Sequence, residues 1–195
     1  MVEPRAEFVH WLFATGILTL GLILVAEAIV GEEVWRTRPW RVYLWPSIAF
    51  GLGVLLWPVM SFYTSSAIHM VAHGTWAQSL MVMGGAELGL AKGKLESRWW
   101  RLATPVALAV SGLAFLVHEQ SPWFFARAAF LHHLIGWTLI VGAFFPLGLA
   151  FRPRSVVFRS GYGLLVLALA VMLYCDRDVA AVFGHLSPFA GPPHR

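Results

Sequence analysis

The stretch FVHWLFATGILTLGLILVAEAIV, residues 8–30, decides the fold of this chain. Glu27 is its only charged residue, and the stretch exceeds the roughly 20 apolar residues that a helix needs to cross about 30 Å of hydrocarbon. Such a span must be helical, because lipid offers no hydrogen-bond partners to an exposed backbone. The leader before it has one Arg against two Glu, and no small-residue cleavage site follows it. We therefore expect it to remain as the first transmembrane helix rather than to be removed as a signal peptide.

Further apolar stretches of this kind follow along the whole chain. They are Val42–Phe62, Ser66–Leu90, Leu102–Val117, Arg127–Leu149 and Val157–Cys175. The composition agrees, since 58% of the residues are hydrophobic, 12% are charged and the mean hydropathy is +0.70. We predict an all-α integral membrane protein, a bundle of six transmembrane helices in one domain over residues 1–175, with a periplasmic tail over 176–195.

The basic residues predict which side of the membrane each loop faces. Ten of the 14 Lys and Arg residues lie in or beside the loops that join spans one to two, three to four and five to six. Loops rich in Lys and Arg stay in the cytoplasm, so both termini are predicted to lie outside. Glu27 and Glu87 fall near the inner ends of their spans, where we expect the carboxylates to reach the headgroup region.

All eight histidines fall on the predicted outer side, although histidine was not used to assign the sides. They are His10, His69, His73, His118, His132, His133, His185 and His194. Ionisable groups within a membrane boundary are costly and usually face the bundle interior with a partner. For His10, His185 and His194, which lie at a helix end or in the tail, we expect an ordinary interfacial position.

The remaining histidines have the spacing of a metal site. His69 and His73 are four residues apart, so on a helix they lie on one face about 6 Å apart along the axis and can chelate one ion. The short connection between spans four and five brings His118 close to His132 and His133. Because adjacent helical residues point about 100° apart, only one of His132 and His133 can face a shared ion, and the other is a supporting or surface group.

Four segments, three of which contain these histidines, resemble the CtaG-type cytochrome c oxidase assembly factors, a family of multi-span bacterial membrane proteins. The segments are HMVAH, MGGAELGLA, TPVALAV with LVHEQSPWF, and FLHHLIGWTLIVGAFFPL, within residues 64–151. Carried over position by position, the resemblance selects His69, His73, His118 and His133. It favours His133 over His132.

The resemblance implies a multi-pass protein of the bacterial inner membrane that binds copper at its periplasmic face and supports assembly of a haem-copper oxidase. Oxidase subunits or a periplasmic copper chaperone are the partners that it implies, besides the lipid bilayer. Two alternatives stay open from the residues alone. A b-type cytochrome would use two of the histidines as axial haem ligands, and a structural subunit of a respiratory complex would use none.

Other classes are disfavoured. The chain has no Gly-rich phosphate loop and no GxSxG motif, and its single cysteine excludes an internal disulfide. We expect no nucleic-acid partner, because the excess of positive charge lies in the loops on one side of the spans and is explained by topology. An enzyme with a membrane metal centre remains a weaker possibility, since no substrate is visible in the sequence.

Overall fold

The computed structural model describes residues 6–63, 67–117 and 126–176, and these ranges contain helices and no strand. The helices are α1 (Ala6–Val30), α2 (Glu32–Arg36), α3 (Leu44–Tyr63), α4 (Ala67–Ala91), α5 (Ala103–Val117), α6 (Ala126–Gly142), α7 (Phe144–Phe151) and α8 (Val156–Cys175). Short 3-10 helices cover Pro39–Tyr43 and Arg98–Leu102. Where the structure describes them, the six apolar stretches of the sequence are helical apart from the break at Ala143, so the all-α prediction is confirmed for the described ranges.

Within the residues that the structure describes, five helical segments are long and apolar enough to cross a membrane. They are Val9–Val30, Pro39–Val59, Arg98–Val117, Ala129–Phe151 and Val156–Cys175. The protein is therefore a helical, multi-pass membrane protein. Helix α4 has 25 residues, which is long enough, but polar side chains such as His73, Gln78 and Glu87 lower its hydropathy below that of the other long helices.

The long helices form a closed ring. Helix α1 packs against α3, α3 against α4, α4 against α5, α5 against α6, α6 against α8, and α8 against α1. Apolar side chains from every helix of the ring fill its centre, among them Leu20, Ala49, Met83, Leu139 and Leu169. Consecutive helices are thus neighbours, as short connections favour.

Glycine allows α3 and α4 to approach closely. A Cβ atom on Gly84 would lie 2.6 Å from the Phe50 nitrogen and 2.6 Å from the Pro46 oxygen. A Cβ atom on Gly53 would lie 2.7 Å from the Ala77 oxygen. Small residues at such contacts are characteristic of helix packing within membranes, where van der Waals contact replaces the hydrophobic effect.

The fifth span is interrupted, which the sequence prediction of one continuous stretch did not include. Helix α6 ends at Gly142 and α7 begins at Phe144. Pro146 explains the break, because proline has no N–H for the carbonyl of residue 142 and its ring crowds that carbonyl. Backbone bonds continue across it, from Ala143 N to Leu139 O (2.9 Å) and from Leu147 N to Ala143 O (3.1 Å). The two helices together therefore make one span.

Candidate functional site

A buried carboxylate joins three helices at one end of the ring. Asp176 directly follows α8, and its side chain is 1% exposed. One of its carboxylate oxygens, Oδ2, lies 3.1 Å from Nε2 of His132 on α6 and 3.6 Å from Nδ1 of His10 on α1. His10 Nδ1 also lies 3.3 Å from the Asp176 carbonyl oxygen. We call this end, where α1, α4 and α6 begin and α8 ends, the histidine end.

The chemistry of this cluster follows from its burial. A carboxylate out of water is stable only with a counter-charge or strong hydrogen bonds. An imidazole supplies the charge only when it is protonated, and otherwise one ring N–H donates to the carboxylate. An imidazole that donates one ring N–H to a carboxylate binds a metal ion through its other ring nitrogen.

Two stacked aromatic rings separate His73 from His132. The Trp76 and Phe115 rings stack with centroids 4.0 Å apart. The His73 ring meets Trp76 at 4.7 Å, and the His132 ring meets Phe115 at 5.7 Å. The Trp76 indole N–H donates to the Ser111 carbonyl over 3.2 Å, which fixes the stack between α4 and α5. His73 and His132 thus share the histidine end, with the stack between them.

The structure gives the two neighbouring histidines of α6 different environments. His132 is buried against Asp176, whereas His133 is exposed and its Nδ1 lies 2.8 Å from the Ala129 carbonyl of its own helix. The two histidines therefore differ in environment, as their offset of about 100° on the helix predicts. His132 points toward the end of α8, whereas His133 is exposed; which of the two binds metal stays a prediction.

The other predicted ligands are only partly within the described residues. His69 lies in α4 one turn before His73, so the backbone spacing for a chelate is met, but its side chain lies outside the description. His118, His185 and His194 also lie outside it. Among the residues that the structure describes, no group of three or more His, Cys, Asp or Glu side chains has the arrangement of a metal centre. The predicted copper site therefore stays a prediction.

A second polar network lies at the opposite end, where the basic loops are. The Arg159 guanidinium on α8 binds the Glu27 carboxylate of α1 through Nη1. Its Nη2 lies 2.6 Å from Glu32 Oε2 and 2.6 Å from the Pro153 carbonyl. Arg36 Nε donates to the other Glu32 oxygen over 2.9 Å. This network links α1, α2 and α8, and we call it the basic end.

Sequence reasoning missed three of these groups. Glu27 does not simply reach the headgroups, because it pairs with Arg159, and Glu87 accepts a hydrogen bond of 2.9 Å from Thr104 of α5. Asp176 was counted with the polar tail, although it is fully buried. Its position one residue beyond an apolar span, on the side where the sequence predicts every histidine, was the available signal.

Comparison of the chain with protein-family models, with curated proteins and with solved structures found no match. The geometry and the sequence pattern therefore carry the functional argument.

Proposed function

We propose that this protein binds copper at the histidine end and supports the assembly of a haem-copper cytochrome c oxidase in the bacterial inner membrane. The observation that carries the proposal is the contact of Asp176 with His10 and His132 at the histidine end, where the His73 ring also lies, against Trp76. Imidazole suits copper, and a protein that delivers a metal needs few ligands at a reachable site. The resemblance to the CtaG-type factors supplies the link to oxidase assembly.

The proposed topology has six spans with both termini in the periplasm. Helix α4, the third long helix along the chain, adds a span to the five apolar segments and brings the number to six. Its 25 residues extend about 37 Å at 1.5 Å per residue, and it packs between α3 and α5. The excess of Lys and Arg in the loops of the basic end supports a cytoplasmic position for that end. The histidine end then faces the periplasm.

For the ligand set we propose His69 and His73 from α4, His118, and His132 from α6. The contact between Asp176 and His132 supports His132 in preference to His133. Metal-binding histidines almost always donate their second ring N–H to a carboxylate, a carbonyl or water, which fixes the ring and strengthens it as a ligand. His73 lies on one side of the Trp76–Phe115 stack and His132 lies on the other, so one copper ion held by both of these imidazoles would require the two stacked rings to move aside.

The packing disfavours a haem held between His73 and His132, for the same reason that it disfavours a single copper ion bound by both in the present arrangement. A b-type haem between His73 and His132 would need both imidazoles to approach a common plane from opposite faces. The Trp76 and Phe115 rings occupy that space at 4.0 Å from each other. A macrocycle could enter only if both rings left their places, and the hydrogen bond from Trp76 to Ser111 would be lost.

Paired histidine variants test the proposal. We expect His73→Ala and His132→Ala to lower copper affinity at least about tenfold, as loss of a ligand or its support does, while the neighbouring His133→Ala has little effect. Affinity is measured on the detergent-purified full chain by competition with a Cu(I) chelator. Oxidase activity of cells that carry each variant gives the second readout. Unchanged copper affinity in both His73→Ala and His132→Ala would refute the site.

A further inference from the structure

A groove on the outer surface of the ring carries polar groups that lipid cannot satisfy. It has a volume of about 570 Å³ and runs along α4 and α5, with Trp57 of α3 at one edge. Gln78 and Ser79 of α4 line it. Val71 and Val82, which are 69% and 51% exposed, border the same face of α4. The face is therefore directed away from the ring.

Gln78 lies too deep to reach water. It is 11 residues from the first residue of α4 and 13 from the last, so it lies about 16 Å and 20 Å from the two ends of the helix. With α4 as a membrane span, the exposed amide of Gln78 lies near the middle of the hydrocarbon. None of the hydrogen bonds in the described ranges involves Gln78. An amide in that position costs several kcal/mol until it finds a partner.

Ser79 gives an independent sign of an occupant. It is 7% exposed, it lines the groove, and its hydroxyl has no hydrogen-bond partner within the described part of the chain. Thr75 and Ser79 also form a pair of small polar residues four apart on α4, both lining the groove. Such pairs allow helices to approach closely within a membrane. Ala103 and Ala107 on the α5 side are likewise small.

We infer that this groove is the interface of a symmetric dimer, in which α4 of a second copy packs against α4 of the first. Two copies in one membrane share the same orientation, so a two-fold axis along the membrane normal places Gln78 opposite Gln78 of the partner subunit. An amide both donates and accepts, so two facing glutamine side chains satisfy each other. A carboxylate or an ammonium group at this position would repel its own copy.

The shape of the groove agrees with this arrangement. In a dimer about that axis, the partner's α4 rests in the groove between α4 and α5, and the reverse contact is made by symmetry. The small side chains of Ala103, Ala107 and Ser79 leave room for it. The inference uses α4 as a membrane span but does not depend on copper binding. A result against the dimer would therefore leave the proposed metal site unaffected, and a result against the metal site would leave the dimer unaffected.

The test measures association of the fluorescently labelled full chain in phospholipid vesicles. Single-molecule photobleaching counts the copies per particle over a range of protein-to-lipid ratios. We expect a reversible dimer. Interhelical hydrogen bonds in membranes contribute enough that Gln78→Leu should raise the dissociation constant about tenfold. Gln78→Asn, which keeps the amide, should retain most of the association. Val171→Leu, at an exposed position on α8, is the matched control and should leave the dissociation constant unchanged.

Oxidative cross-linking provides a second measurement that does not depend on the stability of one variant. In a Cys175→Ser background, the Gln78→Cys variant should form a disulfide-linked dimer, and the Val171→Cys variant should not. Single-step photobleaching at every density would overturn the inference. So would equal cross-linking of the two variants, an unchanged dissociation constant for Gln78→Leu, or a monomer that retains a phospholipid in native mass spectrometry.

Discussion

Removal of the Arg159 side chain tests how strongly the basic end holds α1, α2 and α8 together. The guanidinium is 13% exposed and binds the carboxylates of Glu27 and Glu32, which are 16% and 22% exposed, and the Pro153 carbonyl. Breaking a buried ion pair by deleting one partner costs about 3–5 kcal/mol. Because water reaches part of each carboxylate, we expect Arg159→Met to cost about 2–3 kcal/mol. For a protein of this size that lowers Tm by about 4–12 °C.

Arg36 provides the matched control, since it binds the same Glu32 carboxylate from an exposed position. Its side chain is 64% exposed, and one bond of 2.9 Å joins it to Glu32 within a helical turn. Such surface pairs contribute about 0.5 kcal/mol or less, so Arg36→Met should move Tm by at most about 2 °C. The assay is thermal unfolding in detergent followed by the fluorescence of the ten tryptophans. Equal shifts in Arg159→Met and Arg36→Met would refute the reasoning.

Three further predictions concern packing, the site and the topology. Gly84→Ala forces a Cβ atom against the α3 backbone and should destabilise the protein by about 1–3 kcal/mol in the same thermal assay, whereas Gly51→Ala, which meets open space, should not. Asp176→Asn should lower copper affinity about tenfold in a chelator titration, because the carboxylate orients His132; unchanged affinity would exclude that role. A membrane-impermeant maleimide should label the exposed Cys175 in intact spheroplasts. A Lys94→Cys variant in a Cys175→Ser background should react only after lysis. The opposite pattern would reverse the proposed topology.

The helices could be predicted from the sequence because a span is a property of one continuous stretch. The last predicted span, Val157–Cys175, differs from α8 by one residue at its start. The length of an apolar run and its flanking charges are enough to set such bounds. Breaks inside a run are harder to see, because Pro146 interrupts the fifth span without changing its composition.

The rotation of each helix could not be predicted in the same way. In a chain this apolar, the face toward lipid and the face toward the ring have similar compositions, so the pattern does not decide between His132 and His133. The packing of α6 against α8 brings His132 to Asp176 and leaves His133 exposed. The pairs of Glu27 with Arg159 and of Glu87 with Thr104 also join separate helices, and their partners are visible only once those helices are packed.

Metal content together with an optical spectrum tests the central claim most directly. The full chain, purified in detergent without added chelator and loaded with Cu(I), is analysed for bound metals and its absorption is recorded across the visible range. The proposed function predicts stoichiometric copper that the His73→Ala variant does not retain, and no Soret band. A Soret band in the purified protein, or copper at the background level of a histidine-free membrane protein, would contradict it.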